Sequence, residues 1–150
     1  MKQDASGLPV DVVFEVRDRC LCLATQRAAR KLARRFDIAF RPLGLTHGQF
    51  SMMVALNAKR PWSMMELASF LGMDRTTLTA GVATLARRKL VKRVVDPEDQ
   101  RSKQVFLTPA GQKLIAQAVP IWRAEHAKLD REITMPVADQ ARASMMRLSA

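Results

Sequence analysis

Apolar residues recur at helical spacing through the first forty residues of the chain. Val13, Val16 and Cys20 begin this pattern, and Leu32 and Phe36 continue it. The spacing predicts one long helix from about Asp11 to Phe40. The sequence Pro42-Leu43-Gly44 should end this helix, because proline lacks an N–H and glycine favours a turn.

Two capping boxes predict where the next two helices begin. Thr46 with Gln49 is the first box, and Ser63 with Glu66 is the second. In such a box the hydroxyl oxygen accepts from the backbone N–H three residues on, and the longer side chain accepts from the capping residue's own N–H. The turn Gly72-Met73-Asp74 then leads into a further helix, which is the arrangement of a helix–turn–helix.

The helix after this turn should run from about Arg75 to Lys89. Leu78, Val82 and Leu85 lie on one face and should pack against the preceding helices. The opposite face carries hydroxyls and small side chains, which can lie close to base edges, and arginines, which suit phosphates. The residues of this helix expected to contact DNA are Arg75, Thr76, Thr77, Thr79, Arg87 and Arg88.

Residues 90–108 have the pattern of a β-hairpin. Two runs rich in β-branched or apolar residues, 90–95 and 103–107, flank the acidic turn Asp96-Pro97-Glu98-Asp99. Basic residues, including Lys103, lie at both ends of this hairpin. A hairpin of this kind after a helix–turn–helix predicts a wing that binds double-stranded DNA.

Helices are predicted again after the hairpin. Thr108-Pro109 should cap a helix of about twenty residues, Met135-Pro136 should interrupt it, and a last helix should follow to Leu148. The first helix and the last two helices have no use in reading DNA, so they are expected to form a homodimer. The domain prediction is therefore a single domain, in which residues 11–42 and 109–150 form dimerisation helices around a winged helix–turn–helix at 43–108.

Charge and composition favour a polyanionic partner. The 150 residues are 48% hydrophobic, which suits one globular domain, and carry a formal net charge of +11. Clustered Lys and Arg bind nucleic acid by releasing counterions, so DNA ranks ahead of an anionic membrane surface as the partner. The sequence shows neither a signal-peptide pattern nor an apolar run of membrane-spanning length, so a cytoplasmic protein with no membrane partner is expected.

Residues 43–111 resemble the MarR family of winged-helix transcriptional regulators. The matching landmarks, in order, are Leu45-Thr46 with Gln49, Glu66-Leu67-Ala68, Leu71-Gly72-Met73-Asp74, Thr77-Leu78-Thr79, Leu85, Leu90-Val91 with Arg93, Asp96, Asp99-Gln100-Arg101, and Leu107-Thr108 with Gly111. The resemblance implies a mainly α fold, with N- and C-terminal dimerisation helices and a small antiparallel β wing. It also implies that Arg101 enters the minor groove and is braced by Asp99.

The same resemblance implies a functional class. The expected function is a homodimeric repressor that binds a pseudo-palindromic operator and responds to a small-molecule effector, which the sequence does not identify. The chain departs from the family's usual pattern at Ala80 and Gln100, where arginine is common, and at Lys89, where glycine is common. The first two departures predict a different sequence preference, and the third predicts either another helix ending or modest strain.

Two alternative functions remain open at this stage. The segment around Cys22 resembles that of the family's organic-peroxide sensors, but the chain contains no tyrosine to hold a thiolate, so a plain buried thiol is preferred. A sequence-indifferent architectural DNA-binding protein is the other alternative. The basic face of the first helix is compatible with a solvated surface, DNA-backbone contact or capture of an anion such as an acyl-coenzyme A thioester.

No motif for catalysis or metal binding is found in the sequence. There is no glycine-rich phosphate loop and no nucleophile motif, and His47 and His126 are far apart from each other and from the cysteine pair. The expectation is therefore a protein that is not an enzyme, with no catalytic residues, no metal and no cofactor.

Overall fold

A computed structural model describes residues 7–58, 60–134 and 136–150. Its elements in chain order are α1 (Val10–Arg19), α2 (Leu21–Phe40), a 3-10 turn (Arg41–Leu43), α3 (His47–Leu56), β1 (Trp62–Ser63), α4 (Met64–Leu71), α5 (Arg75–Arg87), β2 (Val91–Val95), β3 (Lys103–Leu107), α6 (Pro109–Ile133) and α7 (Val137–Leu148). The chain divides into two compact units between Arg35 and Phe36. None of the described helices is long and apolar enough to cross a membrane.

The N-terminal unit contains a break that the sequence pattern did not reveal. The prediction of one helix from Asp11 to Phe40 was wrong, because Cys20 has an extended ψ of 107° and separates α1 from α2. Its N–H still donates to the Val16 carbonyl at 3.0 Å, and its own carbonyl accepts from Ala24 at 3.0 Å. Its sulfur accepts from the Leu23 N–H at 3.4 Å, as an N-cap does. Apolar spacing continues across this one-residue change, so periodicity could not detect it.

None of the described residues of the N-terminal unit, 7–35, is buried. No residue of α1 is buried, and the two buried residues of α2, Phe36 and Phe40, belong to the second unit. Seven of its large apolar side chains are 40–65% exposed; they are Leu8, Val10, Val13, Phe14, Val16, Leu21 and Leu32. Cys22 is also exposed, so the prediction of a buried thiol was wrong. The reason is that the described residues of the chain do not cover this face.

The second unit is built around a three-stranded antiparallel sheet. The strand order is β1-β3-β2, so the predicted wing hairpin is confirmed and a third strand pairs on its other side. Val105 of β3 lies at the centre, opposite Trp62 on one side and Arg93 on the other, and is 1% exposed. A strand of two residues is too short to show the alternation of apolar and polar positions from which the hairpin was predicted.

The core of the second unit joins the helices to this sheet. Leu78, Val82 and Leu85 of α5 are fully buried, which confirms the predicted inner face of that helix. They belong to one cluster with residues from each neighbouring element; the fully buried side chains of that cluster also include Phe40, Met53, Leu67 and Ala118. The buried face of α5 therefore fixes which face it turns to solvent.

Both predicted capping boxes are present. The Thr46 hydroxyl accepts from the Gln49 N–H at 3.2 Å, and the Gln49 side chain accepts from the Thr46 N–H at 3.1 Å. Ser63 and Glu66 make the equivalent bonds at 3.2 and 2.9 Å. Backbone and side-chain hydrogen bonds from Ser63, followed by Arg60, hold the pKa of Glu66 below its usual value. Each box fixes the first turn of its helix.

The ends of α4 and α5 share one hydrogen-bonding motif. Gly72 follows α4 with φ 61°, and Lys89 follows α5 with φ 58°. In the second case Lys89 N–H donates to the Ala86 carbonyl at 2.9 Å and Leu90 N–H to the Leu85 carbonyl at 3.0 Å, which is a Schellman ending. Lys89 therefore occupies the left-handed position where the family often has glycine, and the expected strain lies there.

The two C-terminal helices follow the sequence prediction closely. Thr108 caps α6 by accepting from the Gly111 N–H at 3.1 Å, with Pro109 as the first helical residue. The helix is 25 residues long, slightly more than predicted. Of the predicted break at Met135-Pro136, Met135 lies outside the described residues, and α7 begins directly after Pro136.

Candidate nucleic-acid interface

The outer face of α5 carries the residues predicted to contact DNA. Arg75 and the threonines at 76, 77 and 79 are exposed near its N-terminal end, and Arg87 and Arg88 are exposed near its C-terminal end. They lie opposite the buried residues Leu78, Val82 and Leu85. One surface of this helix is thus polar, partly cationic and free of bulky apolar groups.

Most of the threonine hydroxyls on this face already donate their proton within the helix. Thr77 Oγ1 donates to Asp74 Oδ2 at 2.6 Å, Thr79 Oγ1 to the Arg75 carbonyl at 2.7 Å, and Thr84 Oγ1 to the Ala80 carbonyl at 3.0 Å. A hydroxyl has one proton, so these three groups can offer only lone pairs and methyl groups to an outside partner. That favours base edges with amino donors, as on adenine and cytosine, and the thymine methyl group.

Thr76 differs from its neighbours. It is exposed, and its hydroxyl makes no hydrogen bond within the part of the chain that the structure describes. It can therefore donate as well as accept. Among the candidate residues on this helix, Thr76 is the hydroxyl with the widest choice of base partners.

Asp74 fixes the start of α5. Its carboxylate accepts from the Thr77 backbone N–H at 2.8 Å as well as from the Thr77 hydroxyl. These bonds, the hydroxyl one first, lower the pKa of Asp74 below its usual value. The residue therefore remains an anion at neutral pH and holds the Thr77 side chain in one orientation.

Two arginines at the C-terminal end of α5 have intramolecular contacts. Arg87 Nη2 donates to the Thr84 hydroxyl at 3.2 Å. Arg88 Nη1 donates to the Gly44 carbonyl at 2.6 Å, and its Nη2 to the Leu43 carbonyl at 3.3 Å. Arg88 thus braces the turn that precedes α3, a role the sequence did not predict. Its partners are more than forty positions away in the chain, so no local pattern could show it.

The tip of the wing is organised by two aspartates. Asp96 Oδ1 accepts from the Glu98 N–H at 2.9 Å, and Asp99 Oδ1 accepts from the Arg101 N–H at 3.0 Å. Asp99 thus contacts the backbone of Arg101, whereas the resemblance implied contact with the guanidinium. The Arg101 side chain is exposed at the tip. Lys103, also exposed, begins β3 opposite Val95.

The redox candidate lies in a different part of the molecule. Cys20 and Cys22 are both free thiols of the N-terminal unit, whereas the residues of α5 and the wing that are predicted to contact DNA belong to the second unit. Among the described residues, no group of three or more His, Cys, Asp or Glu side chains is arranged to hold a metal ion.

A helix–turn–helix formed by α4 and α5, followed by a β hairpin, defines a winged helix–turn–helix protein. A family model described as the MarR family matches residues 45–103. The structure of the Mycobacterium tuberculosis transcriptional regulator MosR in complex with DNA is similar, with 34% identity and a TM-score of 0.78; the match covers 87% of this chain and 94% of that one. The chain belongs to the MarR family of transcriptional regulators.

Two other relatives agree with this assignment. The structure of the transcriptional repressor CouR bound to a 23-mer DNA duplex has 28% identity and a TM-score of 0.72, covering 89% of this chain and 93% of that one. The transcriptional regulator HosA of Escherichia coli O111:H- is 35% identical over 77 residues. That match covers 51% of this chain and 57% of HosA, so the chain spans just over half the length of this curated relative.

Proposed function

We propose that this protein is a homodimeric repressor that binds a pseudo-palindromic DNA operator and responds to a small-molecule effector. The observation that carries the proposal is the exposed face of α5 beside a wing whose tip presents Arg101. In this arrangement α5 enters the major groove and Arg101 enters the adjacent minor groove, where narrow sequences attract arginine. The DNA-bound structures of MosR and CouR support the proposal.

Exposed apolar side chains support the dimer. The N-terminal unit exposes its apolar face, and α7 exposes Val137, Met145, Met146 and Leu148. Contiguous exposed apolar surface marks an interaction site, and closed two-fold dimers are the commonest oligomers. Two copies of α5 would then meet successive major grooves of a two-fold operator. A regulator of this kind works on chromosomal DNA, so we place it in the cytoplasm.

The Arg101 side chain provides the decisive test of the wing. Arg101→Ala should weaken operator binding by about 1–3 kcal/mol, because it removes a cation from the minor groove. Asp99→Ala should cost less, since its carboxylate orders the loop through the Arg101 backbone. Fluorescence anisotropy with operator DNA at physiological salt measures both changes.

Arg131→Ala is the matched control for this test, because it removes the same charge from an exposed position on α6. It should leave affinity close to that of the parent. Equal affinity of the Arg101 variant and the parent would show that the wing does not bind DNA as proposed.

The recognition helix should separate sequence preference from general affinity. Thr76, Thr77 and Thr79 variants should change which operator sequence is preferred, whereas Arg87→Ala should weaken all DNA alike and reduce the salt dependence by about one unit of slope. Binding to a library of operator variants at several salt concentrations measures both effects. If Arg87→Ala reordered the preferred sequences and the threonine variants did not, the assigned roles would be wrong.

Two other functions can be separated from this proposal. The exposure of Cys22 removes one reason for considering it inert, so a peroxide-sensing role needs a direct test. Release of DNA on organic-peroxide treatment of the parent, but not of Cys22→Ser, would support that role over a ligand effector. Excess unrelated DNA that displaced the operator would instead favour a sequence-indifferent binder.

A further inference from the structure

Three residues join α5 to the wing. Helix α5 ends at Arg87 and β2 begins at Val91, so the joint consists of Arg88, Lys89 and Leu90. Its backbone is the Schellman ending described above, with Lys89 in the left-handed conformation. A change in this joint would turn α5 relative to the wing. The contacts that hold the joint therefore bear on how both elements meet an operator.

The start of α6 holds one side of the joint. Thr108 Oγ1 donates towards the Lys89 and Leu90 carbonyls, at 2.8 and 3.0 Å. The Thr108 N–H also donates to the Leu90 carbonyl at 3.0 Å. The same residue caps α6, so the joint and the first turn of this helix share one hydrogen-bonding residue.

The side chain of Arg88 holds the other side. Its guanidinium donates to the carbonyls of Gly44 and Leu43, at 2.6 and 3.3 Å, in the turn between α2 and α3. Gly44 has a φ of 62°, and a Cβ there would lie 3.4 Å from Arg88 Nη2. Glycine therefore allows the left-handed turn and leaves room for the guanidinium beside it.

The two adjacent arginines use their guanidinium groups differently. Both Nη atoms of Arg88 are directed at carbonyls of another element, whereas Arg87 bonds the Thr84 hydroxyl within its own helix. A planar guanidinium can donate to two carbonyls at once, whereas a lysine ammonium is a point charge on a flexible stem. The contact of Arg88 thus uses the shape of arginine as well as its charge.

We propose that Arg88 is a positioning residue for operator binding, in place of the phosphate contact expected from the sequence. Its guanidinium ties the joint to the turn that follows α2, and Thr108 ties the joint to the start of α6. Two helices that do not carry the DNA-contacting residues thereby set the direction of α5 relative to the wing. This inference rests on the proposed binding of α5 and the wing to one operator.

A direct phosphate contact is the alternative role for Arg88. The residue is exposed and directly follows the helix that carries most of the DNA-binding candidates. For a phosphate contact lysine would serve nearly as well, and loss of the charge would reduce the salt dependence of binding. For positioning, lysine would lose the two-carbonyl contact although it keeps the charge. The two roles therefore predict different results for Arg88→Lys.

Operator affinity is measured by anisotropy at several salt concentrations for Arg88→Lys and Arg88→Gln, beside the same two changes at Arg87. Both Arg88 variants should bind the operator about fivefold less tightly than the parent, as expected for loss of a hydrogen-bonded contact, with an unchanged salt slope. Arg87→Gln should reduce the slope by about one unit, and Arg87→Lys should keep it. Arg131→Lys, at an exposed position on α6, should bind like the parent.

The spacing of operator half-sites separates positioning from stability. Operators with half-sites moved together or apart by one base pair are compared with the unaltered operator, because two copies of α5 must match this spacing. The parent should prefer one spacing, and Arg88→Lys should discriminate several-fold less, since the direction of α5 is less fixed. Urea unfolding is measured in parallel. A loss of stability alone does not change which spacing a folded protein prefers.

A change on the other side of the contact gives a second variant. Gly44→Ala places a Cβ beside Arg88 Nη2 and strains the left-handed turn. It should weaken operator binding in the parent but add little to the loss in Arg88→Lys, because both changes break the same contact. Additive losses would contradict a shared role of Arg88 and Gly44.

Two further results would overturn the proposal. The first is parent-like affinity of Arg88→Lys together with a salt slope lowered by about one unit in Arg88→Gln, which would show a phosphate contact. The second is lower stability of Arg88→Lys with unchanged affinity and spacing preference, which would show that the contact holds the fold alone. A parent that bound no operator would contradict the proposed function, and this inference with it.

Discussion

The two units of this chain differ in how they use apolar residues. In the second unit, Leu78, Leu85 and Val105 are at most 1% exposed. In the N-terminal unit, Val13 and Val16 are 46% and 55% exposed although they also follow a helical spacing. A helical pattern thus shows which face is apolar but not what covers it. The apolar face of α5 is covered by other elements of the second unit, whereas the N-terminal unit leaves its apolar face for another surface, which we propose is a second copy.

A matched pair of Leu→Ala variants tests this difference, and the largest effect is expected here. Leu78→Ala, in the core, should lower the free energy of unfolding by about 3 kcal/mol, because it loses buried apolar contact and leaves a cavity. Leu21→Ala should cost less than about 0.5 kcal/mol in dilute protein, since its side chain is 65% exposed. Urea unfolding at low and high protein concentration measures both.

Varying the protein concentration shows whether Leu21 lies in a dimer interface. If the N-terminal unit lies in a dimer interface, Leu21→Ala should weaken association, and the difference from the parent should grow as the concentration rises. A Leu21 variant that unfolded as early as the Leu78 variant in dilute protein would contradict the proposed contrast between the units.

Local signals in the sequence predicted most of the second unit. Thr46 and Ser63 marked two helix starts, and the hairpin pattern located the wing, because capping and strand alternation depend on neighbouring residues. Gly111 was recognised only as a family landmark, and the structure supplies its reason. A Cβ there would lie 2.2 Å from the Leu90 carbonyl oxygen. Such a close approach between distant segments has no local signature.

Contacts between distant parts of the chain also explain which features of the sites the sequence did not predict. The bonds from Arg88 to Leu43 and Gly44, and those from Thr108 to the joint after α5, link residues far apart in the chain. A single sequence gives the chemistry of such residues but not their proximity. The exposure of Cys22 was missed for a related reason, since burial depends on which surface covers the helix.

A second pair of variants compares two backbone positions within the second unit, one left-handed and one inside a helix. Lys89→Gly should raise the free energy of unfolding by about 1 kcal/mol, because glycine adopts the left-handed conformation at φ 58° without a Cβ penalty. Lys113→Gly, at an exposed position inside α6, should lower it by about 1 kcal/mol because it adds only unfolded-state freedom. Thermal unfolding measures both. Destabilisation of similar size in the two variants would show that Lys89 is not strained.

The smallest effect is expected from pH, at the place where α2 enters the second unit. The His47 ring lies 5.6 Å from the Phe36 ring, and Phe36 in turn lies 4.8 Å from His126 on α6. Burial lowers the pKa of His47 from 6.5; the charge of Asp37 opposes this, and His126 adds to it. The folded protein therefore favours neutral His47, whereas the unfolded chain takes up the proton near pH 6.5.

The sign of the pH dependence follows from this difference. The contribution of His47 to stability is complete above pH 6.5 and is lost as the pH falls through 6.5 towards the lower pKa of the folded state. His47→Gln cannot titrate, so it should lose less stability over that interval than the parent. The change should be smaller than either Lys→Gly effect and is measured by urea unfolding on both sides of the interval. The Asp37 bond uses the backbone N–H of residue 47, so the variant retains it. If the parent and the variant lost equal stability on acidification, the pH dependence would arise from other groups. His47 would then not link acid stability to the packing of Phe36.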